Sequence, residues 1–216
     1  MSHADDSPRR GYACGRRTRA RIISAALQVF GEEGYHRGST RRIAERAGVN
    51  TPAIRYYFGS KRELHAACAR QVVARVESIL AQPLVQAGAV LRTPEPAAAL
   101  GALCELLAAW VDGLAVAGSE TWNLDLAREP IGAGLFDTIE QLVAAAAPHS
   151  AGAGLPRLRA CMLLGYVGSL YENRARTLEV MGWSQWNEGA LALIKSVVRE
   201  HTRDALATVC LSATQA

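Results

Sequence analysis

Between residues 40 and 61 the chain sets out a series of polar and cationic side chains, Thr40, Arg41, Asn50, Thr51, Arg55, Tyr56 and Lys61, interrupted by Pro52 and Ala53. Their chemistry suits a double-stranded nucleic acid. Thr51 and Asn50 could hydrogen-bond base edges, the Pro52 ring and Ala53 methyl could touch thymine methyls, and Arg55 could reach guanine or a phosphate. Thr40, Arg41, Tyr56 and Lys61 suit phosphate oxygens, which fix register without reading sequence.

Such groups act together only if helices hold them on one surface. Ile22, Ala26 and Phe30 recur every four residues with Ile23 and Leu27 beside them, predicting an amphipathic helix that stops near Gly34. A second helix can start at Ser39 or Thr40, turns Ile43, Ala44 and Ala47 inward, and ends at Gly48. Asn50 or Thr51 can cap a third, with Pro52 in its first turn, where a missing N–H costs nothing. On it Ile54 and Tyr57 or Phe58 face the core, which leaves Thr51, Pro52, Arg55 and Tyr56 outward. Two helices joined by a Gly-containing turn form a helix-turn-helix, whose second helix enters the major groove. Ser60 would cap a fourth helix, placing Lys61 near its N-terminus.

At these residues the chain resembles the TetR family of one-component transcriptional regulators. The resemblance rests on a helix ending FGEEGY, then STRRIAERAGV, then a short helix closing with YYFGSK and running into a long apolar helix. It implies that Thr40 and Arg41 open the second helix at the DNA, that Thr51, Pro52, Ala53, Arg55 and Tyr56 face the groove, and that Lys61 sits on phosphate. Many relatives carry an aromatic residue where this chain has Arg55, so no operator preference is implied. Farther on, NLDLAREPIGAGLFDTIEQLV and GSLYENRARTLEVMGW are similar to the CecR-like subgroup. That likeness implies an effector-responsive repressor.

Charge points the same way. Residues 1–62 hold thirteen Lys or Arg against five Asp or Glu, whereas residues 63–216 hold eleven against fifteen, so a modest net +4 conceals a basic head on an acidic body. The reading divides the chain into a disordered basic tail over 1–15, a DNA-binding head over 16–62, and a helical effector-binding and dimerisation domain over 63–216. Arg9, Arg10, Arg16 and Arg17 could reach the minor groove or flanking phosphates. Met1–Gly15 is polar, with no apolar stretch of the kind a secretory signal needs.

Strand signals are nearly absent, so the fold class is all-α with about nine helices. After the head we expect a helix from Ser60 to about Gln82 stopped by Pro83. A loop then leads to an apolar helix over Ala97–Val116, with Leu100, Leu103, Leu107, Trp110 and Leu114 on one side. Short helices over Glu120–Arg128 and Gly134–Ala147 are followed by a PHSAGAG loop, a long helix from Pro156 to about Met181, and a last one from Trp186 to about Leu211. ACMLLGYVG in the first of these two long helices, and the many aliphatic residues of the second, predict burial on two sides. These segments are too short for a membrane span, which needs about 20 apolar residues. The second side would face another copy of the chain, making a homodimer through the last two helices, with Gly165 and Gly168 allowing close approach. A symmetric dimer suits a palindromic operator.

Trp110, Trp122, Leu126, Phe136, Tyr166 and Tyr171 are candidate walls of an effector pocket, and Arg128, Glu129, Asn173 and Arg174 candidate polar handles. Cysteines at 14, 68, 104, 161 and 210 show no metal-ligand spacing and fit a reducing cytoplasm. Cys68, Cys104, Cys161 and Cys210 read as packing residues. No catalytic constellation, cofactor or metal site is expected, so an enzyme is not. The leading expectation is a cytoplasmic homodimeric repressor released from DNA by a small molecule. Two alternatives are a redox-responsive regulator using Cys14 or Cys161, and a ligand-binding protein with a vestigial helix-turn-helix.

Overall fold

The computed structural model describes residues 7–117, 133–148 and 154–212. Among them the chain is all helix: α1 (Ser7–Arg37), α2 (Thr40–Ala47), α3 (Thr51–Phe58), α4 (Lys61–Val90), α5 (Pro96–Ala117), α6 (Ala133–Ala146), α7 (Leu155–Glu172), α8 (Arg174–Met181) and α9 (Glu188–Ser212). The expected helix over Glu120–Arg128 and most of the PHSAGAG loop lie outside the described residues. Contacts divide the chain into two compact units, with the boundary on α4 between Val73 and Ala74.

The first unit is built on the stripe of α1, where Ile22, Ala26, Val29 and Phe30 are fully buried. Gly34, at φ 77°, breaks the regular helix where the sequence placed its stop; a side chain there would be strained. One boundary differs from expectation. Residues 7–15, read as a disordered tail, belong to α1, which begins at Ser7. Pro8 falls in the first turn, where its missing N–H is harmless, and Arg and Ala are good helix formers.

In the second unit α5 packs against α6, α7 and α9. Its buried face is broader than the predicted stripe: Leu103, Leu106, Leu107 and Val111 are buried, while Leu100, Trp110 and Leu114 are only partly so. This helix is long and apolar enough to cross a bilayer by composition alone. Burial of both its Leu103–Leu107 and Leu106–Val111 rows makes it the core of the unit. Gly113 sits on that face because a Cβ there would come 3.2 Å from Val76 Cγ1.

Three further boundaries correct the sequence reading. Pro83 does not stop α4, which continues to Val90. Its ring removes one backbone hydrogen bond, yet buried Leu80 and Ala87 on either side hold the helix in place. The long helix expected from Pro156 breaks at Asn173, whose Nδ2 donates to the Ser169 carbonyl at 2.9 Å. Such side-chain bonds compete with the helical ladder. The last helix starts at Glu188 rather than Trp186, because Asn187 Oδ1 accepts from the Ala190 N–H at 2.9 Å. Cys161, expected to pack, is exposed, whereas Cys68 and Cys104 are buried; burial pushes the Cys104 thiol above its ordinary value.

Two ion pairs tie α9 to α5. Arg199 forms a two-pronged bond to Glu105, both oxygens at 2.9 Å, and Lys195 lies 2.9 Å from Asp112. Hydrogen bonding from Arg199 holds the Glu105 carboxyl below its usual 4.5. A lowered carboxylate pKa stabilises the fold fully above the unfolded value, and that stability is lost as pH falls through the folded one. In urea melts, the stability gap between wild type and Glu105→Gln should be constant well above the unfolded carboxylate value of 4.5 and close as pH falls through the lowered folded one. A gap that widens on acidification would contradict the pairing.

Candidate nucleic-acid interface

Each of α2, α3 and α4 is started by the side chain before it. Ser39 Oγ accepts from the Arg42 N–H at 3.2 Å, Asn50 Oδ1 from the Ala53 N–H at 3.1 Å, and Ser60 Oγ from the Glu63 N–H at 3.1 Å. Ser39 and Asn50 are therefore the caps that the sequence left open against Thr40 and Thr51. Between α2 and α3, Gly48 takes the left-handed conformation (φ 62°) and Val49 N–H donates back to the Ala44 carbonyl at 3.0 Å. The turn needs a residue free of the Cβ penalty at that point. Arg21 Nη2 donates to the Gly48 carbonyl at 3.2 Å, fastening the turn to α1.

With α3 so held, Ile54 and Phe58 are buried and Thr51, Pro52, Arg55 and Tyr56 are exposed, as the period of 3.6 requires. Tyr56 is 84% exposed, far more than a packing tyrosine, and stands edge-on to Tyr57 at 5.0 Å. A concavity of about 630 Å³ gathers Thr40, Thr51, Pro52, Arg55 and Lys61 with Ile54, Gly59 and Ser60. Five of the nine residues expected at DNA thus line one hollow. Arg41, Asn50 and Tyr56 are exposed beside it, and Ala53 is half-buried.

The cations are not all equally free. Arg41 Nε bonds Glu45 at 3.0 Å, with both side chains mostly in solvent, a pair that contributes little to stability. Lys61 Nζ donates to the His36 carbonyl at 3.3 Å and stands 4.7 Å from the centre of the Tyr35 ring. Asn50 spends its carbonyl oxygen on the cap, which leaves its amide N–H₂ for a ligand.

Several ties between α2 and the end of α1 had no signal in the sequence. Arg42 Nε lies 2.8 Å from Glu33, and Arg46 Nη1 2.7 Å from Glu32. Hydrogen bonding from Arg46 holds the Glu32 carboxyl below its usual value. Phe30, Tyr35 and His65 form a ring cluster with centroids 4.6–5.9 Å apart.

The expected effector-pocket residues meet different neighbours. Trp110 is half-buried on α5. Phe136 lies 5.6 Å beneath the Arg157 guanidinium, and Tyr166 stacks on His201 at 4.4 Å. Tyr171 is buried edge-on to Trp186 at 6.0 Å, and Arg174 covers the same Trp186 ring at 5.2 Å. Trp122, Leu126, Arg128 and Glu129 lie outside the described residues. Trp186, which the sequence reading used only to start a helix, is the partner that joins Tyr171 to Arg174.

Capped helices, a left-handed glycine turn and an outward polar face on the second helix define a helix-turn-helix domain carried on an all-α chain. Residues 22–68 match the family described as bacterial regulatory proteins, tetR family. Over these residues the chain carries a DNA-binding domain of the TetR type. It is 38% identical over 82 residues to the HTH-type transcriptional dual regulator CecR of Shigella flexneri, covering 38% of this chain and 36% of the relative. It is also 42% identical over 65 residues to the HTH-type transcriptional regulator RutR of Escherichia coli K12, covering 27% of this chain and 31% of the relative. The matches thus span about a third of those relatives' lengths. A TetR-like transcriptional regulator from Rhodococcus sp. RHA1 shares the fold over 88% of this chain and 96% of its own, at TM-score 0.59 and 19% identity.

Proposed function

We propose that the chain is a sequence-specific DNA-binding repressor that acts as a homodimer and leaves its operator when a small molecule binds the helical body. The observation that carries this reading is the hollow beside α3, where Thr51, Pro52 and Arg55 meet Thr40 and Lys61. Its rim supplies donors for phosphate and its α3 wall supplies groups for base edges. Residues 16–62 then act as the head and 63–216 as the effector and dimerisation body. Thr40, Arg41, Tyr56 and Lys61 contact phosphate; Asn50, Thr51, Pro52, Ala53 and Arg55 face the bases. Lys61 exchanges the His36 carbonyl and Tyr35 ring for a phosphate oxygen, a stronger, charge-assisted partner.

A dimer seated on promoter DNA excludes polymerase by occupancy alone, so repression needs no further contact. A DNA partner also supports a cytoplasmic location. Release by an effector follows from linkage: a ligand that favours a dimer spacing unsuited to the operator weakens DNA binding by the same factor by which DNA weakens the ligand. The α4 helix, continuous from Lys61 to Val90, is the natural carrier of that change.

Selection from a random duplex library followed by fluorescence anisotropy tests the reading. Arg55→Ala should lose about 1–3 kcal/mol of binding, concentrated at one base position of the selected site, whereas Lys61→Ala should weaken all duplexes alike. Failure of the wild type to enrich any sequence would refute specific recognition. Unchanged operator affinity across a broad panel of metabolites would remove the effector.

A further inference from the structure

The cations of the head sort themselves by partner. Arg21 and Arg37 donate to carbonyls, of Gly48 and Glu33. Arg41, Arg42, Arg46 and Arg62 each stand within 4.0 Å of a glutamate. Lys61 holds the His36 carbonyl, and Arg19 lies 5.1 Å over the Phe58 ring. Among the described residues from 15 to 62, three cations have no partner of any of these kinds: Arg55, on the groove-facing side of α3, and Arg16 and Arg17, both exposed on α1.

Two contacts fix which face of α1 is turned to α3. Phe58 is the last residue of α3, so the guanidinium of Arg19 clasps α1 to the end of that helix. Gly15 confirms the approach, since a Cβ there would lie 3.8 Å from the Tyr57 hydroxyl. Arg16 precedes Arg19 by three residues, just under one turn and about 4.5 Å along α1. Arg16 is next to Gly15 on the side of α1 turned to α3, and Arg17 follows on the outer side; both are carried on a formed helix, so little backbone ordering entropy is lost when they bind.

We propose that Arg16 and Arg17 form a second phosphate-binding site, gripping the duplex backbone that flanks the groove entered by α3. The ligand is the DNA phosphodiester strand, recognised by charge and not by sequence. The inference rests on the reading of α3 as a groove-entering helix and enlarges its footprint. Isolated cations on a basic face normally stay solvated, but two guanidinium groups without carboxylate partners displace condensed counterions from a polyanion seated next to them. Arg42 and Arg46 cannot do the same without giving up Glu33 and Glu32.

The test measures the salt dependence of full-length protein binding to the duplex enriched by selection. Each phosphate contact contributes about 0.9 to the slope of log affinity against log salt, so Arg16→Ala with Arg17→Ala should reduce it by ~1.8 per bound subunit. The advantage of wild type over this variant should then grow ~12-fold per subunit as salt falls about fourfold. The R16K/R17K variant should keep the wild-type slope, because it keeps the charge. Circular dichroism should show R16A/R17A folded, and R70A/R75A, which removes two exposed charges from α4, should keep the slope. If wild type binds its selected duplex and R16A/R17A shows the same slope, the second site is wrong and the α3 reading stands. If wild type binds no duplex, both fail.

Discussion

Replacing Phe30 with alanine should lower the unfolding free energy by about 3–5 kcal/mol, an effect large enough to abolish the helix-turn-helix. The ring is fully buried. It is tilted against Tyr35 at 5.9 Å and meets His65 edge-on at 5.1 Å, so it joins the end of α1 to the start of α4. The chain is packed tightly around it: a Cβ on Gly38 would come within 3.0 Å of a Phe30 ring carbon and 3.1 Å of Val29 Cγ1. Neighbours held this closely by their own helices cannot collapse into the space left behind, and the full cavity cost then adds to the lost transfer energy. Native stability is roughly 0.05–0.15 kcal/mol per residue, so a unit of this size has little to spare. Urea denaturation followed by circular dichroism measures the loss. A change below about 1 kcal/mol would mean that the cluster relaxes freely and does not hold α1 to α4.

The legibility of the head follows from how local its signals are. Ser39, Asn50 and Ser60 each satisfy an N–H three residues away, and Gly48 supplies a backbone conformation within one turn, so neighbouring sequence alone suffices to place α2, α3 and α4. The 3.6-residue period then sorts Ile54 and Phe58 from Thr51, Arg55 and Tyr56. What the sequence left unread depends on distant partners. Nothing in the order of residues says that Glu33 and Glu32 take Arg42 and Arg46, or that Lys61 lies over Tyr35. The same holds in the body. Pro83 reads as a stop because the packing of Leu80 and Ala87 is not local, and the break at Asn173 turns on a single side-chain bond to Ser169. Pocket residues were chosen for size. Size does not distinguish Tyr171, buried against Trp186, from Tyr166, stacked on His201.

Converting Leu193 and Val197 to glutamate should turn the protein into a monomer that keeps its helices but loses its operator. The two side chains are 48% and 44% exposed on α9, one turn apart, and the next position of that row is His201. On α7, Leu158 and Met162 are 57% and 66% exposed, one turn apart, and their row continues to Tyr166. The Tyr166–His201 stack joins the two rows into one surface. Four aliphatic side chains on one face are hard to account for in a lone chain and simple to account for against a second copy, since burying each fully contributes about 1.5–3 kcal/mol. Gly165 and Gly168 lie on the same helix with no atom near where a Cβ would stand, leaving room for close approach. A symmetric pairing would bring four carboxylates of the double variant into that face, and a loss of roughly 4 kcal/mol raises the dimer dissociation constant about 1,000-fold. Sedimentation should show the 23.1 kDa chain alone where wild type sediments at twice that mass. A monomer engages one half-site at a time, so operator affinity should fall by ~10²–10⁴ through lost avidity. Arg55→Ala provides the contrast, weakening DNA binding while leaving the dimer intact. A double variant that still sediments as a dimer would assign the apolar face to something other than self-association.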